Sequence, residues 1–152
     1  MKLRIEIEPG AEKELILRAP AIDDDVRRVQ AAIASLSENP EEIALKFAGG
    51  EIFVPYRELY FFEVSGEKTY AHTATECFVC PSHLFELERM LPPAFCRASK
   101  SILVNVSRIK SISRSATGVG EAAFFGTEKK IFISRMYYKQ VRDVIEEVRL
   151  KK

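Results

Sequence analysis

The sequence predicts a mainly β protein, α+β overall, in which an antiparallel β-domain follows a small strand-and-helix extension. Short runs rich in Val, Ile, Phe and Tyr, separated by glycine turns, recur from residue 43 onward. Helical spacing is confined to one stretch ahead of them, one short stretch in the middle and one at the end. Hydrophobic residues make up 47% and charged residues 30% of the 152, which is enough apolar material for a packed core.

Residues 1–42 form the extension. "KLRIEIE" alternates, with Leu3, Ile5 and Ile7 on one face, and predicts a half-buried strand. Pro9-Gly10 marks a turn, and "ELILRAP" predicts a second strand closed by Pro20. In "IDDDVRRVQAAIASLSENP" the residues Ile22, Val26, Val29, Ile33 and Leu36 make one helical stripe. Asp23 to Asp25 sit at its positive end, and Asn39-Pro40 stops it. The stripe can cover its own chain or meet a second copy. A homodimer is the expectation, because the edge of "KLRIEIE" also needs a partner.

Residues 43–152 form the β-domain. "IALKFA" and "EIFVP" flank Gly49-Gly50, and "LYFFEVS" and "KTYAHTA" flank Gly66-Glu67, giving two hairpins. "ECFVCP" is a further strand. "SHLFELERMLPP" is a short helix with Ser82 as N-cap, Leu84, Leu87 and Leu91 inward, and Pro92-Pro93 as its stop. "SILVNV" is a buried strand set between polar-basic loops, "RASKS" before it and "SRIKSISRS" after it. "GEAAFFG" and "KKIFIS" make a last hairpin, followed by a helix with Ser134 as N-cap and Tyr137, Val141, Val144 and Val148 as its stripe.

A net charge of +1 hides an uneven distribution. Residues 1–42 carry a net −4 and residues 43–152 a net +5. No acid occurs between Glu88 and Glu121, whereas Arg89, Arg97, Lys100, Arg108, Lys110 and Arg114 all do. Such a local field suits a polyanion, unless acids from elsewhere in the fold neutralise it. Serines and cations together donate to phosphate oxygens, and Lys or Arg also reads guanine edges. A second donor set, "KKIFISR", opens the last helix, where free backbone N–H groups favour an anion.

Other chemistries are thinly supported. Only His72 and His83 are available as bases, and neither a phosphate loop nor a nucleophile elbow occurs, so no enzyme and no small-molecule substrate are expected. Cys77, Cys80 and His83 form the one metal- or redox-type constellation. Cys77 and Cys80 lie in a strand-like segment and point to opposite faces, so three buried inert cysteines are the better reading and no cofactor is expected. Cys96, beside Arg97, is either such a thiol or one that nearby cations drive toward thiolate. The lack of a signal peptide pattern and of any run of about 18 apolar residues predicts a cytoplasmic protein.

"FCRASKSILVNVSRIKSI" resembles the hallmark of the LytTR DNA-binding domain family: aromatic and Arg, polar residues, Ser, then an apolar triplet ending in Val-Asn. "IFVPYRELYFFEVSGEKTYAHT", "SHLFELERMLPPAFCRASKS" and "IFISRMYYKQV" resemble its other blocks, in order, over roughly 43–150. The resemblance implies an elongated antiparallel β-structure of stacked small sheets with short helices, which inserts loops into DNA major grooves. It implies a sequence-specific bacterial transcription regulator binding double-stranded DNA. The implied contacts are Lys68 and Thr69 in the first turn, Ser99, Lys100 and Ser101 in the second, and Ser134 and Arg135 before the last helix. Arg97 matches the motif arginine and holds either the loop or a phosphate; Asn105 matches the motif asparagine and is structural. Stand-alone members act, in some cases, under a regulatory membrane protein, a further implied partner. The 42 residues ahead of the match are too few for a receiver domain, so "IDDDV" is expected to charge a helix end rather than form an acidic pocket.

Overall fold

The computed structural model describes residues 4–12, 15–37 and 41–150. The chain divides into two compact units, residues 1–39 and 40–152.

In the first unit, α1 (Asp24–Ser37) forms as its stripe and caps predict. Asp23 is its N-cap, its carboxylate accepting the Val26 amide at 2.9 Å, while Asp24 and Asp25 occupy the first turn. Val26, Val29 and Ile33 are half-buried and Ile22 is exposed. Leu36's side chain, Leu3 and the Asn39-Pro40 stop lie outside the described residues. The two expected strands do not form: residues 4–8 and 15–19 carry no ladder, and Ile7 is 90% exposed. Alternation makes a segment two-faced, but a strand also needs a neighbouring backbone, and a lone hairpin is marginal in water. The Pro9-Gly10 turn does form, with Gly10 at φ +86°.

Among the described residues the second unit holds ten strands and two α-helices, with short 3-10 turns at Tyr56–Glu58 and Val106–Arg108. The strands and α-helices are β1 (Glu42–Phe47), β2 (Gly50–Pro55), β3 (Phe61–Ser65), β4 (Lys68–His72), β5 (Cys77–Cys80), α2 (Leu84–Met90), β6 (Phe95–Ser99), β7 (Ile102–Asn105), β8 (Ile109–Arg114), β9 (Gly120–Phe124), β10 (Lys130–Ile133) and α3 (Tyr138–Leu150). A seven-stranded sheet runs β2-β1-β5-β4-β3-β7-β6, and a three-stranded sheet runs β10-β9-β8, all pairs antiparallel. Mostly β architecture with antiparallel sheets and short helices is therefore observed.

Two cores explain the apolar runs. Leu45, Phe62, Ala71, Phe78 and Leu103 pack under Leu84 and Leu87 of α2. Phe61, Val104 and Ile109 pack with Ala122, Phe124, Ile131 and Ile133 of the small sheet and Val141 of α3. Phe61 and Phe62 are neighbours in sequence and serve different cores, as do Leu103 and Val104. β3 and β7 are thus covered on both faces, which is why "LYFF" and "SILV" are unbroken rather than alternating.

Three local expectations shift. The first hairpin turns at Ala48-Gly49, with Phe47 opposite Gly50, so Ala48 adopts φ +47°. His83, not Ser82, caps α2, and the Glu86 carboxylate accepts the His83 amide at 3.2 Å. Of the expected loop 97–101, residues 97–99 belong to an edge strand, because β6 finds β7 as a partner and bulges between Arg97 and Ser99.

Candidate nucleic-acid interface

Three turns meet one edge of the second unit. The β3–β4 turn is Gly66-Glu67, closed by Ser65 opposite Lys68, with Gly66 at φ +63°. The β6–β7 turn, Lys100-Ser101, sits at the same sheet end, because the Val64 amide donates to the Ser101 carbonyl at 2.9 Å. The β10–α3 turn is stitched to β6 by the Ser134 amide donating to the Ala98 carbonyl, also at 2.9 Å. The Ser134 carbonyl accepts the amides of Tyr137 and Tyr138 and so closes the turn 135–137. α3 itself starts at Tyr138, with the Val141 amide donating to the Tyr137 carbonyl, so Ser134 is not its N-cap.

Each turn presents something different. In the first, Lys68 is exposed and lines a shallow groove with Lys46, Ser82 and His83. Thr69 is buried on the inward face of β4 beside Ala71 and also lines that groove. In the second, Ser99 and Ser101 bond each other, the Ser101 amide donating to the Ser99 hydroxyl at 3.2 Å. Lys100 stands at the tip with no side-chain partner among the described residues. In the third, Arg135 is exposed and pairs with no carboxylate among the described residues.

Arg97 behaves unlike these. Its Nε donates to the Glu88 carboxylate at 3.0 Å and its Nη1 to the Lys100 carbonyl at 2.6 Å. With 18% of its side chain exposed, it braces the turn from beneath. Of the six cations in the acid-free stretch, Arg97 alone meets a carboxylate among the described residues. Arg108 donates to the Arg57 carbonyl and lies over the Tyr60 ring, and Arg114 lies over Tyr138. Among the described residues, then, the fold brings one carboxylate, Glu88, into an ion pair with this stretch. Glu88 was missed in sequence, because only folding brings it to Arg97 nine positions away.

Asn105 is buried within the motif. Its amide donates to the Leu59 carbonyl at 2.8 Å, and its carbonyl oxygen accepts from the Ser107 amide and hydroxyl. It fixes the turn after β7, as a structural residue does.

The cysteines separate. Cys80 and Cys96 are buried, but Cys77 is exposed, so the reading of three buried thiols fails at Cys77. Burial pushes the Cys96 thiol up to about 12, and the Arg97 charge that would favour thiolate is committed to Glu88 and Lys100. The thiolate reading of Cys96 is corrected on that ground. Cys77 lies 3.7 Å from His72 Nε2, which bonds Glu63 at 2.7 Å, while Lys129 Nζ reaches His72 Nδ1 at 3.2 Å. No helix among the described residues is long and apolar enough to cross a membrane.

The family model of the LytTr DNA-binding domain matches residues 50–146. Two regulators from Staphylococcus aureus strains NCTC 8325 / PS 47 and COL, each named an uncharacterized HTH-type transcriptional regulator, are 26% identical over 145 residues. The match covers 94% of this chain and 97% of each of theirs. Among solved structures, a LytTr DNA-binding domain from Bacillus cereus superposes with a TM-score of 0.64 at 25% identity, covering 69% of this chain and 96% of its own. Here α1, α2 and α3 are each separated by strands, so no two of them form a helix-turn-helix pair. The chain belongs to the LytTR family of DNA-binding domains.

Proposed function

We propose that this transcription regulator reads duplex DNA through Lys68, Lys100 and Arg135, one cation from each of the three turns. The uncompensated cations along that edge carry the reading. Their spread along one edge suits successive contacts in the major groove, where Lys and Arg recognise guanine O6 and N7. Ser99, Ser101, Ser134 and Arg97 then shape the turns, and Thr69 contributes packing. Phosphate contacts give such a complex a steep salt dependence. Selection from random duplex DNA, followed by titration at several salt concentrations, tests it. A recurrent site bound at least 10³-fold more tightly than random duplex at physiological salt is expected. Equal affinity for all duplexes would overturn sequence-specific reading.

The homodimer belongs to the same reading. α1 carries an apolar stripe on a unit of opposite net charge to the DNA-binding domain, and two linked domains gain affinity through effective concentration. Sedimentation of the full chain at tens of micromolar should show a dimer that a chain starting at Glu41 does not form. Monomers in both cases would make the extension a cover for its own chain. The regulator would act in the cytoplasm, where its DNA lies.

A further inference from the structure

The β8–β9 turn, "SATGV", lies between the quoted blocks of family resemblance, at the end of the polar-basic stretch "SRIKSISRS". It is tightly made: the Ser115 amide donates to the Val119 carbonyl, the Gly118 amide to the Ser115 carbonyl, and the Ser115 and Thr117 hydroxyls meet at 2.7 Å. Gly118 has φ +88°, a left-handed conformation that glycine adopts freely. A Cβ on Gly118 would stand 2.8 Å from Arg135 Cδ, 3.0 Å from Arg135 Cγ and 3.7 Å from Arg114 Nη2. Two arginine side chains therefore converge on one bare Cα.

Arg114 is aimed from two sides. Its Nε donates to the Gly118 carbonyl at 3.2 Å, and its guanidinium lies 4.9 Å from the centre of the Tyr138 ring. Tyr138 fits there because Gly120 has no side chain; a Cβ at Gly120 would come within 2.5 Å of the ring. The Nη atoms of Arg114 and the whole guanidinium of Arg135 meet no acceptor among the described residues. The Arg135 and Met136 amides, beside them, also donate to nothing among the described residues. Holding two like charges together costs energy unless an anion neutralises them, and forked guanidinium donors match phosphate oxygens.

We propose that the β8–β9 turn is part of the DNA interface: Arg114 binds a backbone phosphate, and Gly118 is the shelf that aims Arg135 at the adjacent base. The inference rests on Arg135 facing DNA. It adds a phosphate site and a positioning residue to the contacts that the family resemblance implies.

The test uses the full chain and a duplex selected from random sequence, titrated by fluorescence anisotropy across a salt series. Arg114→Ala should lower affinity for selected and mismatched duplexes by the same factor. It should also reduce the slope of log K against log salt by about 0.9, one phosphate contact. Arg114→Lys, which keeps the charge, should restore the slope. Duplexes carrying a single neutral methylphosphonate supply a readout independent of stability. One position should weaken wild-type binding and leave Arg114→Ala unaffected. Gly118→Ala should lose the preference for the selected duplex as Arg135→Ala does, and Gly118→Ala with Arg135→Ala should be no worse than Arg135→Ala alone. An unchanged slope in Arg114→Ala, or a neutralised-phosphate profile identical to wild type, overturns the phosphate site. Additive losses for Gly118 and Arg135 overturn the shelf. If wild type itself prefers no duplex, the underlying DNA reading has failed instead.

Discussion

Arg97 lies in β6 and Arg135 in the turn after β10, segments joined by the bond from the Ser134 amide to the Ala98 carbonyl, yet the two arginines are held in opposite ways. Arg97 is mostly covered, its donors spent on Glu88 and the Lys100 carbonyl. Arg135 rests its stem on Gly118 and projects an unpaired guanidinium. Both are motif arginines next to a turn with a serine. The contrast teaches that a cation in a recognition motif does one of two jobs, and that its partners rather than its position decide which. Asn105 and Lys129 fall with Arg97 on the tied side; Lys68 and Lys100 fall with Arg135 on the bare side.

The largest effect is expected from Asn105→Ala, on the tied side. It strands the Leu59 carbonyl in the interior and leaves the turn at Ser107 without its acceptor, which should cost about 3 kcal/mol of global stability in denaturant titration. A stable variant that has lost only DNA binding would move Asn105 to the bare side.

Arg97→Ala comes next. Losing two charge-assisted bonds under the Lys100 turn should weaken specific binding by about 2 kcal/mol, more than its small exposure suggests for a direct contact. Glu88→Gln sharpens the distinction. Glutamine still offers Arg97 a carbonyl acceptor, so binding should change by less than about 0.5 kcal/mol if Arg97 is a brace. A clear gain in affinity would mean that Glu88 was withholding Arg97 from a phosphate.

Arg135→Ala and Lys100→Ala should each cost about 1–3 kcal/mol of specific binding and relax preference at one base position, with thermal stability unchanged. Equal losses for all sequences would make either one a phosphate contact.

The smallest effect concerns Lys129. An ammonium only donates, so His72 Nδ1 is bare and Nε2 carries the proton toward Glu63. Burial, chiefly, and the Lys129 charge lower the His72 pKa, opposed by the Glu63 bond. The unfolded chain therefore binds this proton more readily than the folded one. The His72 contribution to stability is present above the ordinary imidazole value near about 6.5 and is lost as pH falls through the lower folded value. Lys129→Met should raise the His72 titration midpoint, followed by NMR, by less than about one unit, since burial remains. No movement would remove Lys129 from the tied group.

Much of this division was hidden from the linear chain, for physical reasons. β3 and β7 were legible because strands covered on both faces become unbroken apolar runs. The inward place of Thr69 was legible too, since it alternates in step with Ala71. The strands expected in "KLRIEIE" and "ELILRAP" failed because a period of two states which residues share a face and says nothing of a neighbour to bond. The Arg97–Glu88 pair and the Arg114–Gly118–Arg135 cluster join separate elements, and no local rule joins them.

The pairing of β3 with β7 has a further consequence, in time rather than in space. Phe62 lies opposite Leu103, 41 residues along the chain, while most other ladders are hairpins between neighbours. Closing that loop costs entropy before any contact compensates, so local hairpins can form quickly and the β3–β7 seam must wait. Leu103, buried in that seam, is then the residue whose truncation to Ala should slow folding more than it speeds unfolding, a split that a chevron plot measures. Until the seam closes, Ser101 has no Val64 amide to hold it, so the turn that carries Lys100 can fold within its own hairpin and still lack its fixed place beside the β3–β4 turn.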